Sequence, residues 1–85
     1  MLFCSLKIDM LDKYTKKLIS VIKQLRLENH LTQEQMAFEI NISTSYLGMI
    51  ERGERNISLK NIYEIAKLFK MKPSKLLSIV ENELK

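Results

Sequence analysis

The chain has few of the residues that build disulfides, metal sites and catalytic pairs. Its 85 residues include one cysteine, Cys4, and one histidine, His30. A single cysteine excludes an internal disulfide, and one residue of each type cannot form a cysteine-rich or histidine-rich metal cluster. The commonest catalytic pairs need a histidine beside serine or cysteine, and His30, next to a predicted helix start, is better interpreted as a loop residue. We therefore predict no enzyme activity, no metal and no cofactor.

Long apolar runs are also missing. No segment approaches the ~20 consecutive apolar residues of a membrane span. The opening MLFCSLKI is apolar but has no basic start, and charged residues follow at once, so we predict neither a signal peptide nor a membrane partner. Residues 1–10 are expected to form a loosely ordered arm, followed by one domain over residues 11–85 that works in the cytoplasm.

Glycine, proline and aromatic residues are scarce, and the remaining pattern is helical. The chain has two glycines, one proline and no tryptophan, while 46% of its residues are apolar and 7% are aromatic. Apolar residues recur at intervals of three and four, which predicts amphipathic helices around an aliphatic core. The net charge of +4 permits a polyanionic partner without requiring one.

Residues that cap or start helices divide the chain into five predicted helices. Their starts are Leu11 or Tyr14, Thr32, Ser43, Ser58 and Pro73. The segment TQEQ is a capping box, in which the hydroxyl of Thr32 and the side chain of Gln35 satisfy each other's backbone N–H groups. The first helix is expected to end at Glu28. The third should end at Arg52, because Gly53 accepts the left-handed conformation that follows a helix.

The connection between the second and third helices is short. Only NIS, residues 41–43, separates them. Two short helices joined so tightly must cross steeply, which is the helix-turn-helix arrangement; its second helix can lie in the major groove of DNA. We predict an all-α fold of five helices, with the helix-turn-helix formed by helices 2 and 3.

The third helix has two unlike sides on a helical wheel. Leu47 and Ile50 lie on the core side. The other side carries small, polar and flexible residues in place of the usual Glu and Lys: Thr44, Ser45, Gly48, Met49 and Arg52. Glycine within a helix costs about 1 kcal/mol relative to alanine, which indicates close approach of a ligand at that position or, alternatively, of another helix. Hydroxyl groups can bind base edges or phosphates, and the methionine either contacts a thymine methyl or is merely exposed.

Polar and cationic residues flank this surface. They are Gln33 at the start of the second helix, Arg52, Arg55 and Asn56 around the turn at Gly53, and Lys60 in the next helix. Free N–H groups and the helix dipole favour a phosphate at a helix start. A solvated charge is the alternative for each cation taken singly, and their clustering favours a nucleic-acid backbone.

One charged pair is predicted inside the fold. Arg26 shares the wheel face of Ile19 and Ile22 and therefore points toward the core, and Glu51 lies on the inner side of the third helix. A buried guanidinium needs a carboxylate, and a planar bidentate pair is its best geometry. We predict that Arg26 and Glu51 join the first and third helices and orient the third.

Three segments together resemble the Xre/Cro-type helix-turn-helix regulators of the phage-repressor-like fold. They are LRLENHLTQEQMA, INISTSYLGMIERGERNISLKNI and IAKLFKMKPSKLL, and the resemblance covers about Leu18 to Leu77. The resemblance implies five helices, with double-stranded DNA read by the third. It implies an internal ion pair between Arg26 and Glu51. It places Thr44, Ser45, Gly48 and Met49 against bases, and it assigns phosphate contacts or steering of the third helix to Gln33, Ser43, Tyr46, Arg52, Arg55 and Asn56.

The chain also departs from that family. Members often carry glycine where this chain has His30, Asn41 and Lys70, so left-handed geometry there would cost up to about 1–2 kcal/mol per site. Lys70 tolerates it least, so the turn before the fifth helix is expected to differ. No Arg, Asn or Gln stands at the four base-facing positions, so specificity should depend on Arg52, methyl contacts and DNA deformability.

A homodimer is expected, because one reading helix covers only a few base pairs. Ile79, Val80 and Leu84 extend beyond the core part of the fifth helix and are the predicted interface, with capping of the core as the alternative. A two-fold dimer would place its reading helices about 34 Å apart, matching half-sites one helical turn apart.

The leading hypothesis is a sequence-specific transcriptional regulator acting on a pseudo-palindromic operator. The segment SYLGMIERGERNISL is similar to controller proteins of restriction–modification systems, which are small homodimeric autoregulators. A phage-type repressor or an antitoxin remains an alternative, as does a protein-interaction module that retains the fold without binding DNA. RNA polymerase or a toxin is a further candidate partner.

Overall fold

Five α-helices build the described part of the chain. The computed structural model describes residues 2–84, with side chains from residue 12 onward. No strand occurs within these residues, and the helices are α1 (Leu2–Glu28), α2 (Gln33–Glu39), α3 (Thr44–Glu51), α4 (Leu59–Leu68) and α5 (Pro73–Glu83). The all-α class and the five helices predicted from the sequence are confirmed.

The first helix begins earlier than predicted. Its expected start was Leu11 or Tyr14, whereas α1 begins at Leu2. No glycine or proline interrupts the residues before Leu11, and leucine, lysine and methionine there favour helix, so nothing ends the helix on that side. Residues 2–10 of the predicted arm are therefore helical, while Met1 lies outside the described residues. The division into a loosely ordered arm and a domain stays a prediction.

Side-chain caps fix the starts of α2, α3 and α4. The Thr32 hydroxyl accepts a hydrogen bond from the Gln35 backbone N–H (3.0 Å), and the Thr32 N–H donates to the Gln35 amide oxygen (2.8 Å), which completes the predicted capping box. Ser43 and Ser58 accept from the backbone N–H three residues on, at 3.0 and 3.1 Å. Each such cap stabilises its helix by about 1 kcal/mol.

Helices α1 to α4 all end in the same left-handed turn. The residue after each C-cap has a positive φ: 59° at His30, 61° at Asn41, 79° at Gly53 and 58° at Lys70. At the end of α4 the Lys70 N–H donates to the Lys67 carbonyl (3.0 Å) and the Met71 N–H to the Ala66 carbonyl (2.9 Å), which is the Schellman pattern. His30, Asn41 and Lys70 therefore all keep the left-handed geometry that glycine often supplies in the family. The prediction that the turn before α5 would differ is wrong, because these backbone hydrogen bonds hold Lys70 in that conformation.

Apolar side chains from all five helices close around one core. Helix α1 packs against α5 and α3, α2 against α3, and α4 against α5. The fully buried side chains are Ile22, Met36, Leu47, Ile50, Ile65, Leu76 and Val80. None of the described helices combines the length and hydropathy that a membrane span requires.

One residue of the predicted dimer interface lies inside this core. Val80 is 0% exposed, so it cannot contact a second copy without unfolding α5, and its assignment to the interface is corrected. The reason is the helical register, since Val80 lies one turn after the buried Leu76 and shares its side of α5. Ile79 is half-buried and Leu84 is 43% exposed, so both remain available to a partner.

Relief of the strain at Lys70 gives a first testable prediction. We expect Lys70→Gly to raise the free energy of unfolding by about 1 kcal/mol, because glycine adopts the left-handed conformation without the clash of a Cβ. Lys67→Gly, in the last turn of α4, should lower it by up to about 1 kcal/mol. Urea unfolding of the two variants measures both, and equal destabilisation by the two glycines would contradict the prediction.

Candidate functional site

The exposed start of α3 is the centre of the candidate site. Ser43, Thr44 and Ser45 are exposed, while Leu47 and Ile50 are buried at 0% and 1% exposure. The two predicted sides of this helix are therefore present at these residues, whereas Gly48, predicted on the exposed side, is buried. The Ser43 hydroxyl accepts the capping hydrogen bond and keeps its own O–H as a donor. Hydroxyl donors and acceptors at the start of α3 can thus meet a polar partner.

Met49 and Tyr46 lie between the exposed and buried sides. Both are half-buried. The Tyr46 hydroxyl donates to the backbone carbonyl of Asn56 at 3.3 Å, across the turn that follows α3. Tyr46 therefore connects α3 to the segment that carries Arg55 and Asn56, both of which are exposed.

Gly48 is covered by side chains of its own chain. A Cβ at this position would lie 3.1 Å from Nη1 of Arg52 and 3.7 Å from Oε1 of Gln33. Both are the ends of flexible side chains, so they cover the glycine without blocking it permanently. In the protein alone, the absence of a Cβ makes room for the guanidinium of Arg52. Approach of a ligand to this glycine stays a prediction.

A buried charged pair connects α1 to the end of α3. Nε of Arg26 lies 2.8 Å from Oε2 of Glu51, and Nη2 of Arg26 lies 3.0 Å from Oε1 of the same carboxylate. The two side chains are 8% and 2% exposed. Nη1 of Arg26 donates to the carbonyl of Leu31 at 2.8 Å, in the turn before α2. The pair has the bidentate geometry expected from the sequence.

Gln33 adds the second helix to this network. Its Nε2 donates to Oε1 of Glu51 at 2.9 Å, so one carboxylate of α3 receives hydrogen bonds from α1 and α2. The sequence predicts that Gln33 contacts a phosphate or steers α3, and it does not predict the bond to Glu51. The buried glutamate was the only available signal, because a carboxylate with several acceptor positions attracts further donors. Gln33 keeps its amide oxygen and backbone N–H for other partners.

Arg52 meets Glu54 just after α3. Nε of Arg52 lies 2.9 Å from Oε2 of Glu54, and Nη2 lies 3.4 Å from Oε1. The hydrogen bonds from Arg52 hold the pKa of the Glu54 carboxyl below its usual value, and the same bonds raise the pKa of Arg52. Both side chains are 57% exposed, so the pair adds little to stability. The sequence analysis did not predict it.

Basic residues of α1 lie beside the turn after α3. Arg52, Arg55 and Asn56 line one side of an open cleft of about 470 Å³, and Lys16 and Lys23 of α1 line the other. The lysines were not predicted as site residues, although their exposed position on α1 could have indicated them. The cleft carries basic residues from the end of α3 to α1, where Lys16 also pairs with Asp12 of the same lining at 3.2 Å.

Comparisons with known proteins agree with this geometry. The chain matches the helix-turn-helix family model over residues 22–76, which is more than half of its length. Control protein C.BamHI from Bacillus amyloliquefaciens is 42% identical over 57 residues, covering 66% of this chain and 70% of that protein.

Solved structures of controller proteins share the fold. The restriction-modification controller protein C.AhdI from Aeromonas hydrophila superposes with a TM-score of 0.66 and 37% identity, covering 73% of this chain and 94% of that chain. C.Esp1396I bound to a 25 base pair operator site superposes with a TM-score of 0.74 and 31% identity, covering 84% and 93% of the two chains.

The buried pair gives a second prediction. We expect Arg26→Ala to lower the free energy of unfolding by about 3–5 kcal/mol, because it leaves the buried carboxylate of Glu51 without its charged partner. Lys23→Ala, an exposed change on the same helix, is the matched control and should shift it by less than about 0.5 kcal/mol. Urea unfolding measures both variants, and indistinguishable midpoints would reject the role of the pair.

Proposed function

Because this chain belongs to the helix-turn-helix family, we propose that it is a sequence-specific DNA-binding transcriptional regulator that acts by binding alone. The observation that carries this proposal is the exposed start of α3, where Thr44 and Ser45 lie above a fully buried side of the same helix. In helix-turn-helix proteins the first residues of the second helix contact base edges in the major groove.

The surrounding residues suit contacts to the DNA backbone. We assign phosphate contacts or steering of α3 to the polar and cationic residues around it, which are Gln33, Ser43, Tyr46, Arg55 and Asn56, and we assign a direct DNA contact to Arg52 at the end of α3. Met49 joins Thr44 and Ser45 on the base-facing side. Lys16 and Lys23 extend the positive surface along α1, so a duplex lying on α3 would meet cations on that flank as well.

Control of restriction–modification genes is the specific role that we favour. Curated relatives are named as control proteins, and one superposable relative was solved on an operator site of 25 base pairs. An operator of that length exceeds what one α3 can read, which supports a homodimer on a pseudo-palindromic site. The cytoplasm, where the genes are accessible, is the expected compartment.

The surface for such a dimer differs from the one expected from α5 alone. Ile79 and Leu84 remain candidates, whereas Val80 is in the core. On α4, Leu59 is 78% exposed and Tyr63 is 53% exposed, and the two lie one helical turn apart. We propose that these apolar side chains of α4 contribute to the contact with a second copy.

Selection of bound sequences from random duplex DNA tests the proposed function. We expect an enriched site with two related halves about 34 Å apart, and an affinity whose logarithm falls linearly with the logarithm of salt concentration. Arg52→Ala should weaken binding to that site about tenfold or more, because it removes a charge-assisted contact. Lys75→Ala, which removes an equal charge from α5, is the control. Absence of binding to any duplex at low salt would refute the function and leave a protein-interaction module.

A further inference from the structure

The guanidinium of Arg52 is held from two sides. The Glu54 carboxylate accepts hydrogen bonds from Nε of Arg52 at 2.9 Å and from Nη2 at 3.4 Å. Nη1 lies over Gly48, at 3.1 Å from the point where a Cβ would stand. Gly48 lies one helical turn before Arg52, so the guanidinium extends back along α3 toward the exposed start of the helix. The side chain is therefore directed to the candidate reading surface.

The turn after α3 fixes the spacing between Arg52 and Glu54. Gly53 has φ 79°, its N–H donates to the Ile50 carbonyl at 3.0 Å, and the Glu54 N–H donates to the Met49 carbonyl at 2.8 Å. These bonds form a Schellman motif, which is rigid and closes locally. The carboxylate of Glu54 consequently meets the guanidinium along one defined edge.

A guanidinium offers two edges that can each bind a partner through two N–H groups. One edge is formed by Nε and Nη2, and the other by Nη1 and Nη2. When a carboxylate occupies the first edge, the second still presents two parallel donors. That second edge matches the O6 and N7 acceptors of guanine, which is the commonest specific contact in the major groove.

The charge of the pair also favours a directed contact with a base over a general attraction for phosphates. Glu54 is an exposed glutamate and is ionised at neutral pH, and its hydrogen bonds from Arg52 hold the pKa of its carboxyl below the usual value. A cation neutralised by its neighbour contributes little to general attraction for phosphates. Arg52 can still form directed hydrogen bonds. None of the base-facing residues Thr44, Ser45 and Met49 can bind guanine with two donors, so this kind of contact is otherwise missing from the surface.

We propose that Arg52 reads a guanine through its Nη1 and Nη2 groups, and that Glu54 is the positioning residue that turns this edge of the guanidinium toward the base. The inference rests on the proposed DNA-binding function and names the residues that determine its specificity. Gly48 contributes to the same arrangement, because a Cβ there would lie 3.1 Å from Nη1 and would displace it from its position over α3.

Base-analogue substitution tests this assignment. A duplex recovered by selection with the wild-type protein is prepared with each guanine replaced singly by 7-deazaguanine, which removes N7 and keeps Watson–Crick pairing. The wild type should lose up to about tenfold in affinity at one guanine of each half-site, because the replacement removes one of the two acceptors of a bidentate contact. For Glu54→Gln the same replacement should cost less than about threefold, because the edge is no longer oriented.

Matched variants separate positioning from charge and folding. Glu81→Gln, an exposed change on α5, removes the same charge and should keep the tenfold loss. Arg52→Ala should abolish the loss at that guanine, and Gly48→Ala should reduce it. Thermal unfolding of Glu54→Gln should coincide with that of the wild type, since the pair is exposed.

The possible outcomes distinguish the role proposed for Arg52 and Glu54 from the proposed DNA-binding function. If the wild-type protein binds no duplex, both the role and the function are overturned. If it binds selectively but no 7-deazaguanine weakens binding, or if Glu54→Gln retains the full loss at the same guanine, DNA binding stands and the role assigned to Arg52 and Glu54 is wrong. Loss of the guanine penalty in Glu54→Gln but not in Glu81→Gln supports it.

Discussion

The buried pair between Arg26 and Glu51 is the interaction on which the candidate site depends. Helix α3 has eight residues, too few to be stable alone in water, so its position must come from contacts with the rest of the fold. Leu47 and Ile50 supply apolar contacts, which tolerate small rotations of the helix. The bidentate bonds from Arg26 and the third bond from Gln33 are directional, and they hold the end of α3 relative to α1 and α2. A buried pair of this kind gives little net stability over an apolar replacement, so its value here lies in orientation.

The orientation of α3 matters because the polar groups of its candidate DNA-binding face lie at the two ends of a short helix. Hydroxyl groups stand at the exposed start, and Arg52 returns toward them from the other end. Three contacts hold these groups in fixed relative positions. They are the Schellman turn after α3, the hydrogen bond from Tyr46 to the carbonyl of Asn56, and the pair of Arg52 with Glu54. A shift of α3 against α2 would separate the hydroxyls from the cations and would also change the room over Gly48.

Local signals in the sequence predicted the parts of this structure that local chemistry determines. Thr32, Ser43 and Ser58 cap helices because their side chains reach a backbone N–H three residues away, and Arg26 needed a carboxylate because its wheel position is buried. The late start predicted for α1 failed because neither glycine nor proline breaks the chain before Leu11. Val80 was misplaced although helical periodicity puts it on the side of Leu76, because the sequence alone did not show that this side of α5 stays covered as far as Val80. The bonds of Gln33 to Glu51 and of Arg52 to Glu54 were missed because a polar side chain chooses among several partners by tertiary geometry. The base and phosphate contacts assigned to α3 stay predictions.

Replacement of the buried pair by apolar residues tests the orienting role most directly. In the double variant Arg26→Met with Glu51→Leu no charge is left unpaired, and only the Leu31 carbonyl and the Gln33 amide lose a partner. Its free energy of unfolding should therefore lie within about 1–3 kcal/mol of the wild type and above that of Arg26→Ala. If the pair positions α3, this stable variant should nevertheless bind the selected duplex about tenfold or more weakly, while non-specific binding at low salt persists. A stable double variant with wild-type affinity for the selected duplex would contradict the account.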